Sequence, residues 1–136
     1  MAEKSSGLIL AEGIHAGFPS PAQDYSDQAI DLNKELIRHP ASTFFGRVAG
    51  DSMTDAGVGE GDILVIDRSL NPSEGDMVVC YLDGEFALKT LRFEEGRPVL
   101  HAANPKYKPI PVEEGSDFRA WGVVTYIIKN VRPGRL

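Results

Sequence analysis

The stretch MVVCYLDGEFALKTLRF, Met77–Phe93, decides the fold. Met77 to Leu82 is an apolar run, and the segment from Glu85 to Phe93 alternates with a period of two. Lys89 shares one face with Ala87, Leu91 and Phe93, while Leu88 flanks it on the other. Between the halves stands Asp83-Gly84, a pair that tolerates the left-handed backbone of a two-residue hairpin turn. Two antiparallel strands follow from this stretch.

Working outward, the same texture recurs. Ile63-Leu64-Val65-Ile66 is bounded by Gly61-Asp62 and Asp67. Upstream, Thr43-Phe44-Phe45-Gly46-Arg47 runs into Val48-Ala49-Gly50-Asp51-Ser52-Met53, which reads as a strand ending in a serine. Downstream, strands are expected near Val99–Ala102 and from Ala120 to Lys129, where Trp121, Val123, Val124, Tyr126, Ile127 and Ile128 cluster. Strands this close together, with Gly and Pro between them, predict a mainly β, compact, largely antiparallel domain.

Residues 1–40 differ. GFPSPAQDY carries Pro19 and Pro21, which favour an extended arm. Asp31 is a plausible N-cap for a short helix in which Leu32 and Leu36 share a face, closed by Pro40. The expected organisation is an arm with one short helix over 1–40 and a β domain over 41–136.

The 136 residues suffice for one domain with a real core, and 42% apolar with 25% charged residues is ordinary for a globular chain. A net charge of −6 argues against a basic footprint, so no direct DNA binding is expected. The single Cys80 excludes a disulfide framework and reads as a small buried hydrophobe. No run is long enough for a membrane span or a signal h-region, which predicts a cytoplasmic protein away from membranes.

Stock motifs of nucleotide and zinc chemistry are missing, and His15, His39 and His101 are widely spaced and read as solvated. No metal or cofactor is expected. Glu94-Glu95 and Glu113-Glu114 sit beside glycines and read as solvated turns. The GDSMT context of Ser52 is not a nucleophile elbow, and no S-x-x-K occurs.

A serine hydroxyl is a weak nucleophile until a neighbouring base takes its proton. Lysine can serve, provided it is neutral. Bringing an ordinary lysine amine to neutrality at pH 7 costs on the order of 4 kcal/mol, which the fold must bear by burying it. Lys89 is the lysine set on an apolar strand face, and short Ala87 beside it leaves room for another segment. Lys4, Lys34, Lys106 and Lys108 stand in polar or proline-rich surroundings, and Lys129 is near the C-terminus. Each of the pair also has an ordinary reading: Ser52 as a turn residue, Lys89 as a strand lysine snorkelling to solvent.

FPSPAQDY, IDLNKELI, GDSM, the block from GDILVIDRSL to GDMVVCYLDGEF, and the lysine strand occur here in one order and spacing. Together they resemble the UmuD/LexA family of self-cleaving serine–lysine proteases, over nearly the whole chain from Gly17 to Lys129. The resemblance implies a fold of the LexA C-terminal type, Ser52 as nucleophile, Lys89 as its base and cleavage at Ala16-Gly17. The backbone N–H groups of Asp51 and Ser52 are the expected oxyanion donors. UmuD proteins often have cysteine before the cleaved glycine, and Ala16 departs from that toward the LexA pattern. Ala49-Gly50 is a lookalike beside the nucleophile, not an expected substrate.

Only 16 residues precede the expected bond, too few for a helix-turn-helix unit, which favours a UmuD-like chain over a repressor. The resemblance then implies a homodimer, cleaved on contact with a RecA–single-stranded DNA filament in the SOS response. The cleaved form would be the accessory subunit of a UmuC-type translesion polymerase. The rivals are an inactive dimeric scaffold, a LexA-type repressor fragment and, against the missing anchor, a signal peptidase.

Overall fold

The computed structural model describes Ile14, Ala16, Gly17 and residues 29–132. The proline-bearing arm, with His15 and Phe18 to Tyr25, lies outside the described residues. The chain divides into two units, Met1–Arg38 and His39–Leu136.

In the first unit, α1 spans Leu32–Leu36. Asp31 caps it as expected: a carboxylate oxygen accepts from the N–H groups of Asn33 and Lys34 at 3.1 and 3.4 Å.

The second unit is built on a sheet of seven antiparallel strands. They are β1 (Thr43–Arg47), β2 (Ile63–Asp67), β3 (Met77–Leu82), β4 (Glu85–Glu94), β5 (Arg97–His101), β6 (Ile110–Pro111) and β7 (Phe118–Ile128). Their spatial order is β1-β2-β7-β3-β4-β5-β6. The mainly β, antiparallel architecture with one short helix is the one the alternation predicts. The β3–β4 turn has φ of +50° at Asp83 and +89° at Gly84, the doubly left-handed form that Asp-Gly favours.

Strand parity separates two apolar clusters. Val78, Cys80, Leu91, Leu100 and Val123 form one. Met53, Val58, Leu64 and Ile66 form the other, joined by Val79 and Leu88 from the opposite parity of β3 and β4. Full burial of each such side chain contributes about 1.5–3 kcal/mol. Cys80 is fully buried, as expected of a small hydrophobe, and burial pushes its thiol pKa up, against the pull of the Lys89 charge. β7 joins β2 to β3 at close quarters. A Cβ on Gly122 would stand 2.5 Å from Ile66 Cγ2, so glycine is required there by space.

One expectation fails. Val48–Met53 is not the end of a strand: β1 stops at Arg47, and Ser52 lies in a turn beyond it. The Val48 N–H donates to Asp62 O at 2.9 Å and its carbonyl accepts from Gly61 at 2.8 Å, after which the chain leaves the sheet. Gly50 makes the departure with φ +92°, a backbone that side-chain-bearing residues avoid. The apolar-then-small sequence looked strand-like because its periodicity was too short to mark the exit.

Two histidines, read as solvated, also make side-chain contacts. His39 Nδ1 pairs with the buried carboxylate of Asp67, and His101 Nε2 with Glu94 at 2.9 Å. Asp67 also accepts from the Ser69 hydroxyl and N–H and from the Ser42 hydroxyl. The Ser69 hydroxyl above all, then His39, holds this carboxyl far below the usual carboxylate range. The cluster fixes the entry to β1 against the end of β2.

Candidate active site

Ser52 is half-buried between two anchored neighbours. Met53 is 2% exposed, and its sulfur accepts from the Ala103 N–H at 3.4 Å. Asp55 N–H donates to Ala103 O at 2.7 Å, at the start of a short 3-10 turn over Thr54–Ala56. On the other side, Asp51 O accepts from Asn104 Nδ2 at 2.8 Å. The segment from Ala103 to Tyr107 therefore straps down the turn that carries the serine.

Ser52 lines a cleft of about 400 Å³. Gly46 to Met53 form one side, Leu64, Ile66 and Val79 contribute from the sheet, and Phe86, Ala87, Leu88 and Tyr107 close the other. Phe86 is 63% exposed and meets Trp121 edge-on, with ring centroids 5.8 Å apart. The cleft is mainly apolar with few polar groups, the usual character of a binding site. Among the described residues, neither the Asp51 nor the Ser52 N–H donates to another residue's backbone carbonyl.

Lys89 lies on β4 opposite Val78 and is 8% exposed, which excludes the reading in which it snorkels to solvent. Among the described residues no carboxylate lies within ion-pair distance of it. Its amine stands 5.3 Å from the centroid of the Tyr107 ring, and Tyr107 is a wall of the Ser52 cleft. Tyr107 thus stands against Lys89 and also lines the Ser52 cleft.

The charged rim of the cleft is absent from the sequence reading. Asp51 receives Lys106 Nζ at 2.8 Å and the Tyr107 hydroxyl at 2.6 Å. Lys106, then Tyr107, holds the Asp51 carboxyl below its ordinary value. Asp51 in turn pushes the Lys106 amine and the Tyr107 phenol up. Lys106 was set aside for its proline-rich surroundings. The signal that could have found it is a tyrosine between two lysines, just past Asn104-Pro105, a turn-forming pair.

Ala16 and Gly17 are exposed in the first unit, and nothing stands within 4 Å of where a Gly17 Cβ would be. Among the described residues no three His, Cys, Asp or Glu side chains converge as metal ligands. No helix among them is long and apolar enough to cross a membrane.

The family model described as Peptidase S24-like matches residues 9–125. Protein ImpA of Escherichia coli is 42% identical over 132 residues, covering 91% of this chain and 84% of that protein. Protein SamA of Salmonella typhimurium strain LT2 is 42% identical over 129 residues, covering 95% and 89%. The LexA repressor of Syntrophotalea carbinolica is 35% identical over 130 residues, covering 96% of this chain but 63% of the repressor.

Proposed function

The chain belongs to the Peptidase S24-like family, and from that premise we propose that it is a serine peptidase that cuts itself at Ala16-Gly17. The observation that carries this reading is a buried lysine with no carboxylate partner among the described residues, set against the wall of the cleft that holds Ser52. A lysine paired with a carboxylate would be kept protonated and useless as a base.

In the proposed reaction, neutral Lys89 takes the proton of Ser52 as Oγ attacks the carbonyl carbon of Ala16. The Ser52 and Asp51 N–H groups receive the oxyanion, each donor contributing about 3–4 kcal/mol to the transition state. The lysine ammonium then protonates the Gly17 amine as the C–N bond breaks. Water, deprotonated by the same lysine, releases residues 1–16 from the acyl-serine. Small residues at the bond let the backbone approach the nucleophile closely.

The wider role follows from the same resemblance. A cytoplasmic homodimer is cleaved on contact with a RecA–single-stranded DNA filament in the SOS response. It then serves as accessory subunit of a UmuC-type translesion polymerase. The net charge of −6 supports contact with DNA through partners rather than directly.

Intact-mass spectrometry after incubation with activated RecA filaments, and separately at alkaline pH, tests the reading. Alkaline conditions deprotonate lysine without help. The expected product begins at Gly17, and Ser52→Ala or Lys89→Ala abolishes it. A chain that stays whole under both conditions is an inactive scaffold, and cleavage by either variant breaks the dyad assignment.

A further inference from the structure

We propose that Tyr107 is a positioning residue of the self-cleavage reaction: its hydroxyl fixes the Ser52 turn through Asp51 while its ring walls the Lys89 amine. The proposal rests on the self-cleaving reading given above and adds to it a residue outside the serine–lysine pair.

The two contacts belong to different parts of one side chain. The hydroxyl donates to Asp51 Oδ1 at 2.6 Å, next to the nucleophile in sequence. The ring centroid lies 5.3 Å from Lys89 Nζ. Asp51 is held at three points by the same short segment, through Asn104 Nδ2, Lys106 Nζ and Tyr107. Lys106 Nζ, bonded to Asp51, is itself 5.3 Å from the Tyr107 ring, so both lysine amines stand close to one ring. A displacement of Tyr107 moves the turn and uncovers the amine together.

An aromatic face is the right partner for a lysine that must alternate between two states. A carboxylate there would hold it permanently as ammonium. A π face attracts the ammonium more weakly and leaves the neutral amine free to form. When Ser52 gives up its proton, the new ammonium meets a surface already in place. Tyr107 is 38% exposed, so its replacement opens no hole in the core.

The test compares self-cleavage rates at one alkaline pH for the full chain, Tyr107→Phe, Tyr107→Leu, Asp51→Asn and the Tyr107→Phe/Asp51→Asn double variant. Thermal melts accompany each. Tyr107→Phe keeps the ring and loses the bond to a charged acceptor, so it slows cleavage roughly tenfold. Tyr107→Leu loses the ring as well and slows it about a further tenfold. Phe therefore cleaves about tenfold faster than Leu, a gap that a surface tyrosine with no role at the amine does not require. In the double variant, Tyr107→Phe adds less than about twofold to Asp51→Asn, because the hydroxyl acts through Asp51. Tyr107→Leu cleaving at the full rate, or the Phe effect adding in full to Asp51→Asn, overturns the proposal while leaving the dyad standing. If Tyr107→Leu does not fold, the coupling between Tyr107→Phe and Asp51→Asn decides alone. An unaltered chain that never cleaves overturns the functional reading, and this proposal with it.

Discussion

The Lys106 ammonium stands 2.8 Å from a carboxylate oxygen of Asp51, tying the residue before Ser52 to a loop 55 positions further along the chain. Both partners are largely exposed, and exposed ion pairs contribute little to stability. The contact therefore matters more for where the turn sits than for whether the domain folds. Lys106→Ala is expected to leave the melting temperature almost unchanged while self-cleavage slows a few-fold. Raised salt should reproduce part of that loss in the unaltered chain and none in the variant. Equal salt sensitivity of the two, measured by gel or mass, counts against it.

Lys89→Met separates stability from function. A buried amine without a carboxylate partner costs free energy that an apolar side chain of similar length does not. The variant is expected to gain about 1–2 kcal/mol in urea unfolding and to lose self-cleavage entirely. A destabilised Lys89→Met would show that the amine is well solvated where it stands.

Asp67 gives the domain an acid limit. Its carboxyl titrates far lower in the folded chain than in the unfolded one, because the Ser69 hydroxyl and His39 hold the anion. The unfolded chain thus binds this proton first, and acid shifts the equilibrium toward unfolding. The stabilisation is fully present above about pH 5 and drains away as the pH falls through the ordinary carboxylate range, near 4, and below. Asp67→Asn is expected to be less stable at neutral pH and to show a shallower loss between pH 5 and 2. Parallel urea-midpoint profiles for the two proteins would refute this.

Gly50→Ala tests the turn itself. A Cβ there meets no neighbour within 4 Å, so space is not the obstacle; φ of +92° is. The expected cost is about 1–2 kcal/mol, read by thermal or urea unfolding. Relief of that strain shifts Ser52, so cleavage slows more than the stability loss alone explains. Unchanged kinetics would place the nucleophile's aim elsewhere.

The β3–β4 hairpin was legible because every local signal agreed: an apolar run, an Asp-Gly pair and an alternating return. Lys89 was legible in part: strand parity sets it on a face with Ala87 and Leu91, but a lysine there can equally snorkel to solvent. Asp31 capped its helix as written. The exit of the chain at Arg47 was not legible, because Val48 and Ala49 suit a strand and only the pairing with Gly61 and Asp62 shows where the ladder ends. His39–Asp67 and the Asp51, Lys106 and Tyr107 contacts join residues 28 to 56 positions apart. Such contacts arise from the folded path and leave no local pattern in the chain.

The sheet order has a consequence for timing. β7, last of the seven in chain order, lies between β2 and β3, pairing with both. The cleft takes its lining from β1, β2 and the Ser52 turn on one side of that seam, and from β3 and β4 on the other. A nascent chain emerging from the ribosome can close its hairpins early, yet the two halves of the cleft stay apart until β7 zips between them. If the cleft is the cleavage site proposed above, the chain carries a built-in delay, since the site is complete only after synthesis has passed Ile128.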